Sequence, residues 1–116
     1  MSDEPVEPGV TSLTALREEL LAAARLAPAR RAAATVHGGH DARLRQTAIA
    51  LLAGVDLAEH DSPPDATLQV LSGRVRLQGQ GRSWELVAGD LADIPPERHA
   101  LAALQDSVVV LTVLRG

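Results

Sequence analysis

Between residues 31 and 114, glycine, proline or aspartate–serine clusters interrupt the chain at intervals of about eight to twelve residues. That punctuation rules out long helices over this span and leaves only short extended segments. Strands are predicted at 31–37, 45–52, 57–61, 67–71, 74–78, 83–87, 91–94, 99–104 and 107–114. Their residue patterns assign the faces. In 67–71, Leu68 and Val70 alternate with Gln69 and Leu71, and in 74–78, Val75 and Leu77 alternate with Arg74, Arg76 and Gln78. The second pattern is that of a half-buried strand with one solvated face. Residues 45–52 and 107–114 are instead apolar on both faces, as in a strand covered from two sides. Many short strands with regular turns argue for an antiparallel sandwich or barrel.

Ahead of the strands, Leu13, Leu16, Leu20, Ala24 and Ala27 recur at steps of three and four, predicting one amphipathic helix over 12–28. Ser12 or Thr14 can cap its start, and Pro28 ends it. The apolar stripe is expected to cover one edge of the main domain, with a subunit contact as the alternative. Residues 1–11 carry acidic side chains and two prolines with little apolar surface, and are expected to form a disordered acidic tail. Residues 29–116 are then the β-barrel.

At 116 residues the chain suits a single domain. With no cysteine, it has no disulfide framework, thiolate metal site or thiol nucleophile. No apolar run reaches the ~20 residues of a membrane helix, and the acidic N-terminus is unlike a signal peptide. A cytoplasmic protein without a membrane partner is expected. The formal charge is −4, from eleven arginines with no lysine against fifteen acidic residues. Such a balance argues against direct nucleic-acid binding, and Trp84 is the sole aromatic residue, so base-stacking platforms are missing.

Two segments carry the candidate chemistry. In the first, Gly54 is followed after five residues by His60, and Gly73 lies thirteen residues beyond, closing Val70-Leu71-Ser72-Gly73-Arg74-Val75. In the second, Gly89-Asp90 leads to Pro95-Pro96-Glu97-Arg98-His99. In order and spacing these resemble the two motifs of the cupin family, specifically a small single-domain cupin of the RmlC-like, cupin 2 conserved barrel type. The resemblance covers about residues 31–115 and implies an all-β fold: a cupin double-stranded β-helix, or jelly-roll barrel, here with one N-terminal α-helix. It also implies a common site, in which two histidines, a glutamate and a late histidine hold one divalent ion.

In this chain His60 stands at the first histidine position, Ser62 at the second and Ala66 at the glutamate. His99 matches the late histidine when the Pro-x-Gly segment is one residue short, with Glu97 in the glycine's place, and Ala103 lies near the family's asparagine. His60 and His99 are therefore the candidate metal ligands, to be completed by Glu59, Asp61, His37, His40 or water. Two histidines fall short of the three or four protein ligands of a firm site. The expectation is a cavity holding His60 and His99, with Glu59 and His37 as further candidates, that binds a small molecule without tightly bound metal. Its role would be that of a sensor or regulatory domain. The alternatives are a metal-dependent oxygenase or isomerase using Fe, Mn, Ni or Zn, and a structural barrel without chemistry. A homodimer is expected under all three, because cupins commonly pair through their sheets.

Three other features have bland readings. Arg74 and Arg76 read as a solvated sheet face, with anion recognition as the alternative. Trp84 reads as core, with a pocket wall or dimer contact as the alternative. His37-Gly38-Gly39-His40 reads as a tight turn flanked by solvated histidines.

Overall fold

In a computed structural model, the chain is described over residues 9–60, 65–95 and 97–115, with the side chains of 58–60 excepted. The expected N-terminal tail lies mostly outside these residues. Among the described residues, one helix, α1 (Leu13–Leu26), precedes nine strands: β1 (Arg31–His37), β2 (Leu44–Leu51), β3 (Asp56–His60), β4 (Asp65–Ser72), β5 (Arg74–Gly79), β6 (Arg82–Val87), β7 (Leu91–Asp93), β8 (His99–Ala103) and β9 (Ser107–Leu114). The paired strands are antiparallel, in a five-stranded sheet ordered β1-β2-β9-β4-β7 and a four-stranded sheet ordered β3-β8-β5-β6. The predicted strands agree with these to within about two residues at their ends.

Ser12 caps α1, its hydroxyl accepting the Ala15 N–H at 3.1 Å. Of the capping candidates Ser12 and Thr14, the structure selects the first. The helix lies across the outer face of the five-stranded sheet. Leu20 and Ala24 pack there on Ala48, Ala50, Leu52, Val108 and Val110. This is why β2 and β9 are apolar on both faces: the alternate residues Leu51 and Val109 belong to the other core, between the sheets. The helix's stripe is thus satisfied within the chain, over a sheet face rather than an edge.

The core between the sheets contains Leu51, Leu68, Val70, Val75, Leu77, Leu86, Ile94, Leu101, Ala103 and Val109. No aromatic side chain is among them. Trp84 sits on the outermost strand of its sheet and keeps 36% of its surface exposed, so its reading as core is corrected.

The chain crosses from one sheet to the other between β4 and β5, and Gly73 makes that crossing. Its φ of 88° is left-handed, and a side chain there would collide with the Ser107 hydroxyl and the Asp106 carbonyl. Ser107 is fully buried, donates to the Gln105 carbonyl at 2.7 Å and accepts the Arg74 N–H at 3.0 Å. The glycine of the first motif is therefore dictated by backbone conformation and close approach together. On the second motif, Asp90 closes the turn by accepting the Val87 N–H at 2.8 Å.

Candidate functional site

His99 opens β8, whose inward residues are His99, Leu101 and Ala103. It is 4% exposed, one of two buried polar or charged residues among those described. Its Nδ1 lies 3.1 Å from the Glu97 carbonyl oxygen. A carbonyl can only accept, so Nδ1 carries the proton and, in the neutral ring, Nε2 carries the lone pair. The backbone just upstream thus selects which nitrogen can act as acceptor or ligand.

Around His99 lies a cavity of about 40 Å³, lined otherwise by Ile49, Leu57, Leu68, Leu77, Ile94, Leu101 and Leu111. Its walls come from both sheets, and every one of these seven residues is aliphatic. At ~10–15 Å³ per water position, the space suits about three or four waters or a group of similar size. Sites that enclose a whole small molecule run to ~300 Å³ or more, so a cavity of this size has room only for one end of such a molecule.

The register of β3 on β8 sets His60 opposite His99, past an irregularity between Leu57 and His60. The two family positions are therefore paired in the backbone register. The side chains of His60 and Glu59, and residues 61–64 with Asp61 and Ser62, lie outside the described part. Ala66, at the glutamate position, packs its methyl against the inter-sheet core, so this position offers no donor. His37 is placed elsewhere: it ends β1 at the rim of the five-stranded sheet, is exposed, and is not among the residues lining the cavity. His40 is exposed too, with its carbonyl accepting from Arg115 at 3.1 Å. Among the described residues, no three His, Asp or Glu side chains gather to hold a metal ion.

Glu97, where the family pattern has glycine, has a role that the sequence reading missed. One carboxylate oxygen accepts from Arg82 Nη2 at 2.7 Å, and the other accepts the Gln80 N–H. Gly79 leaves the room for it, since a Cβ there would strike the carboxylate. The side chain ties the approach to His99 onto the β5–β6 turn. These contacts, the Arg82 side chain first and the Gln80 amide next, hold the Glu97 carboxyl below its ordinary range. The available signal was Glu97 itself, a charged residue in a glycine position.

Arg74 and Arg76 both reach Glu85 on the neighbouring strand, at 2.8 and 3.4 Å, on the exposed face of the four-stranded sheet. Hydrogen bonds from Arg74 and then Arg76 likewise lower the Glu85 carboxyl. The solvated-face reading stands, and these guanidiniums are already engaged.

No protein-family model matches this sequence, and no curated protein matches it. Solved structures do. A cupin superfamily protein from Desulfitobacterium hafniense superposes with a TM-score of 0.68 at 18% identity, covering 80% of this chain and 87% of that one. An RmlC-like cupin from Shewanella frigidimarina gives 0.65 at 18%, over 74% and 77% of the two chains. A transcriptional regulator of the HTH_3 family from Vibrio cholerae gives 0.63 at 20%, over 74% of this chain and 51% of that one. Together with the two antiparallel sheets and the backbone pairing of His60 with His99, these likenesses show that the chain has a cupin-type fold, a jelly-roll barrel carrying one N-terminal helix.

Proposed function

We propose that this barrel is a small-molecule-binding module, taking the apolar end of a ligand into the His99 cavity and hydrogen-bonding it through the imidazole. One observation carries the reading: among the described residues, one buried histidine stands with seven aliphatic side chains around the cavity. Such a lining favours an apolar group with one polar atom over a highly charged substrate. The similarity to a chain described as a transcriptional regulator supports a sensing or regulatory role, exercised by this barrel together with a partner that acts on DNA. The proposed assembly is a homodimer.

A metal-dependent enzyme is the second reading, favoured by the pairing of His60 with His99. The ligand chemistry argues against a firm site, since an alanine methyl occupies the carboxylate position and a structural donor set needs more than two imidazoles. Two measurements separate the readings. Protein purified without chelator is expected to carry far less than one equivalent of Fe, Mn, Ni or Zn. Short-chain C3–C5 alcohols, ketones and acids are expected to raise its melting temperature by mass action. Stoichiometric metal that is lost in His99→Ala would establish the enzyme reading. No shift with any of these compounds would sink the binding reading.

A further inference from the structure

The two sheets are not closed against each other on every side. β7 ends one and β6 ends the other. Between them lies a cleft of about 360 Å³, whose walls include Leu77, Arg82, Trp84, Ala92, Ile94 and Pro95. This volume falls within the range that holds a small organic molecule. Leu77 and Ile94 also line the His99 cavity and so stand between the two spaces.

Three observations set the chemistry of the cleft. Trp84, the chain's sole aromatic residue, is spent here at the surface while the core is entirely aliphatic. The Arg82 guanidinium lies 4.9 Å from the centroid of the Trp84 ring, held by the Glu97 carboxylate through Nη2 alone. A guanidinium has five N–H donors, and no second acceptor takes one among the described residues, while the side chain remains 52% exposed. The remaining charged wall residue, Asp93, pairs in register with Thr67, whereas Ala92 pairs with the core residue Leu68. Strand alternation therefore turns the Asp93 side chain to the opposite face of β7 from Ala92.

We propose that this cleft is a binding site for a small organic carboxylate with a flat or apolar body. The carboxylate takes paired N–H donors on the side of Arg82 that Glu97 leaves unused, the fork geometry that guanidinium offers. The body rests on the exposed part of Trp84 and on Leu77, Ile94 and Pro95. Glu97 and Trp84 hold the guanidinium in place beforehand, which lowers the ordering cost of binding. This site is separate from the His99 cavity and does not depend on what the cavity binds.

Trp84 makes the test direct, because all tryptophan emission comes from this cleft. Three probes with one ring and different charge would be titrated: phenylacetate, 2-phenylethanol and phenethylamine. Phenylacetate is expected to change the emission saturably in the millimolar range, with no saturable response to the other two. Arg82→Gln should weaken phenylacetate by about tenfold or more, the loss expected for hydrogen bonds to a charged group. Arg82→Lys, which keeps the charge and loses the fork, should fall between that variant and the parent. No saturable response to phenylacetate, an equal response to the alcohol, or parent-like binding by Arg82→Gln would each overturn the proposal.

Discussion

The barrel has two apolar layers, and they are filled differently. Under α1, Ala24, Ala48 and Ala50 are fully buried and let the helix approach the sheet closely. Between the sheets, the larger side chains Leu68, Leu77, Ile94 and Leu101 meet around His99 and leave about 40 Å³ unfilled. Small residues on the outer sheet face permit close packing. Branched aliphatics converging from two twisted sheets, with no aromatic ring to fill the middle, do not. The unfilled space thus lies in the layer between the sheets, where the buried imidazole stands.

Truncation inside the barrel should give the largest effect. Leu51→Ala is expected to cost about 2–5 kcal/mol in urea unfolding, because Leu51 is fully buried among side chains fixed by both sheets. A cost under about 1 kcal/mol would show a core loose enough to collapse, contrary to the contrast drawn above. Gly73→Ala tests the crossing that joins the sheets. About 2–3 kcal/mol is expected from the left-handed backbone and the collision with Ser107, and parent-like stability would show that the turn can rearrange.

The sharpest comparison enlarges one residue in each layer. Ala48→Leu under the helix should lose about 1–3 kcal/mol by overpacking. Leu57→Phe, directed at the cavity, should stay within about 1 kcal/mol of the parent and abolish the melting shift of the cavity ligands. Equal losses for the two would erase the distinction between the layers.

The smallest effect concerns Glu97 and is lost in acid. Its folded pKa is lowered from an ordinary value of 4.5, so its contribution is complete above that value and disappears as pH falls through the lower folded pKa. Melting curves of parent and Glu97→Gln should therefore differ near neutrality and converge below about pH 4.5. A constant difference across that range would assign Glu97 a role independent of its charge.

Much of this was legible in the chain. Turn spacing marked all nine strands, and the two-faced apolar runs of β2 and β9 foretold their double cover, because alternation of side chains is a local property of extended backbone. Ser12 and Pro28 act locally, through a hydrogen bond three residues on and a missing backbone donor, whereas the left-handed φ of Gly73 is local and the close approach of Ser107 is not. Ala66 at the glutamate position likewise marks, by residue type alone, where this chain departs from the family's donor set.

Other features depended on partners far away in sequence. Whether Trp84 lay in the core turned on β6 being a sheet's last strand, and strand order is not written in any local pattern. His37 looked like a cavity candidate until β1 proved to be the rim of its sheet. Glu97 gained its role from Arg82 and Gln80, brought to it by the hairpin, and the His99 cavity exists only where side chains from both sheets converge. Residue type and alternation determined which elements form and which faces they bury. Tertiary packing decided which of those faces meet, where they fail to fill space, and which charged groups find each other there.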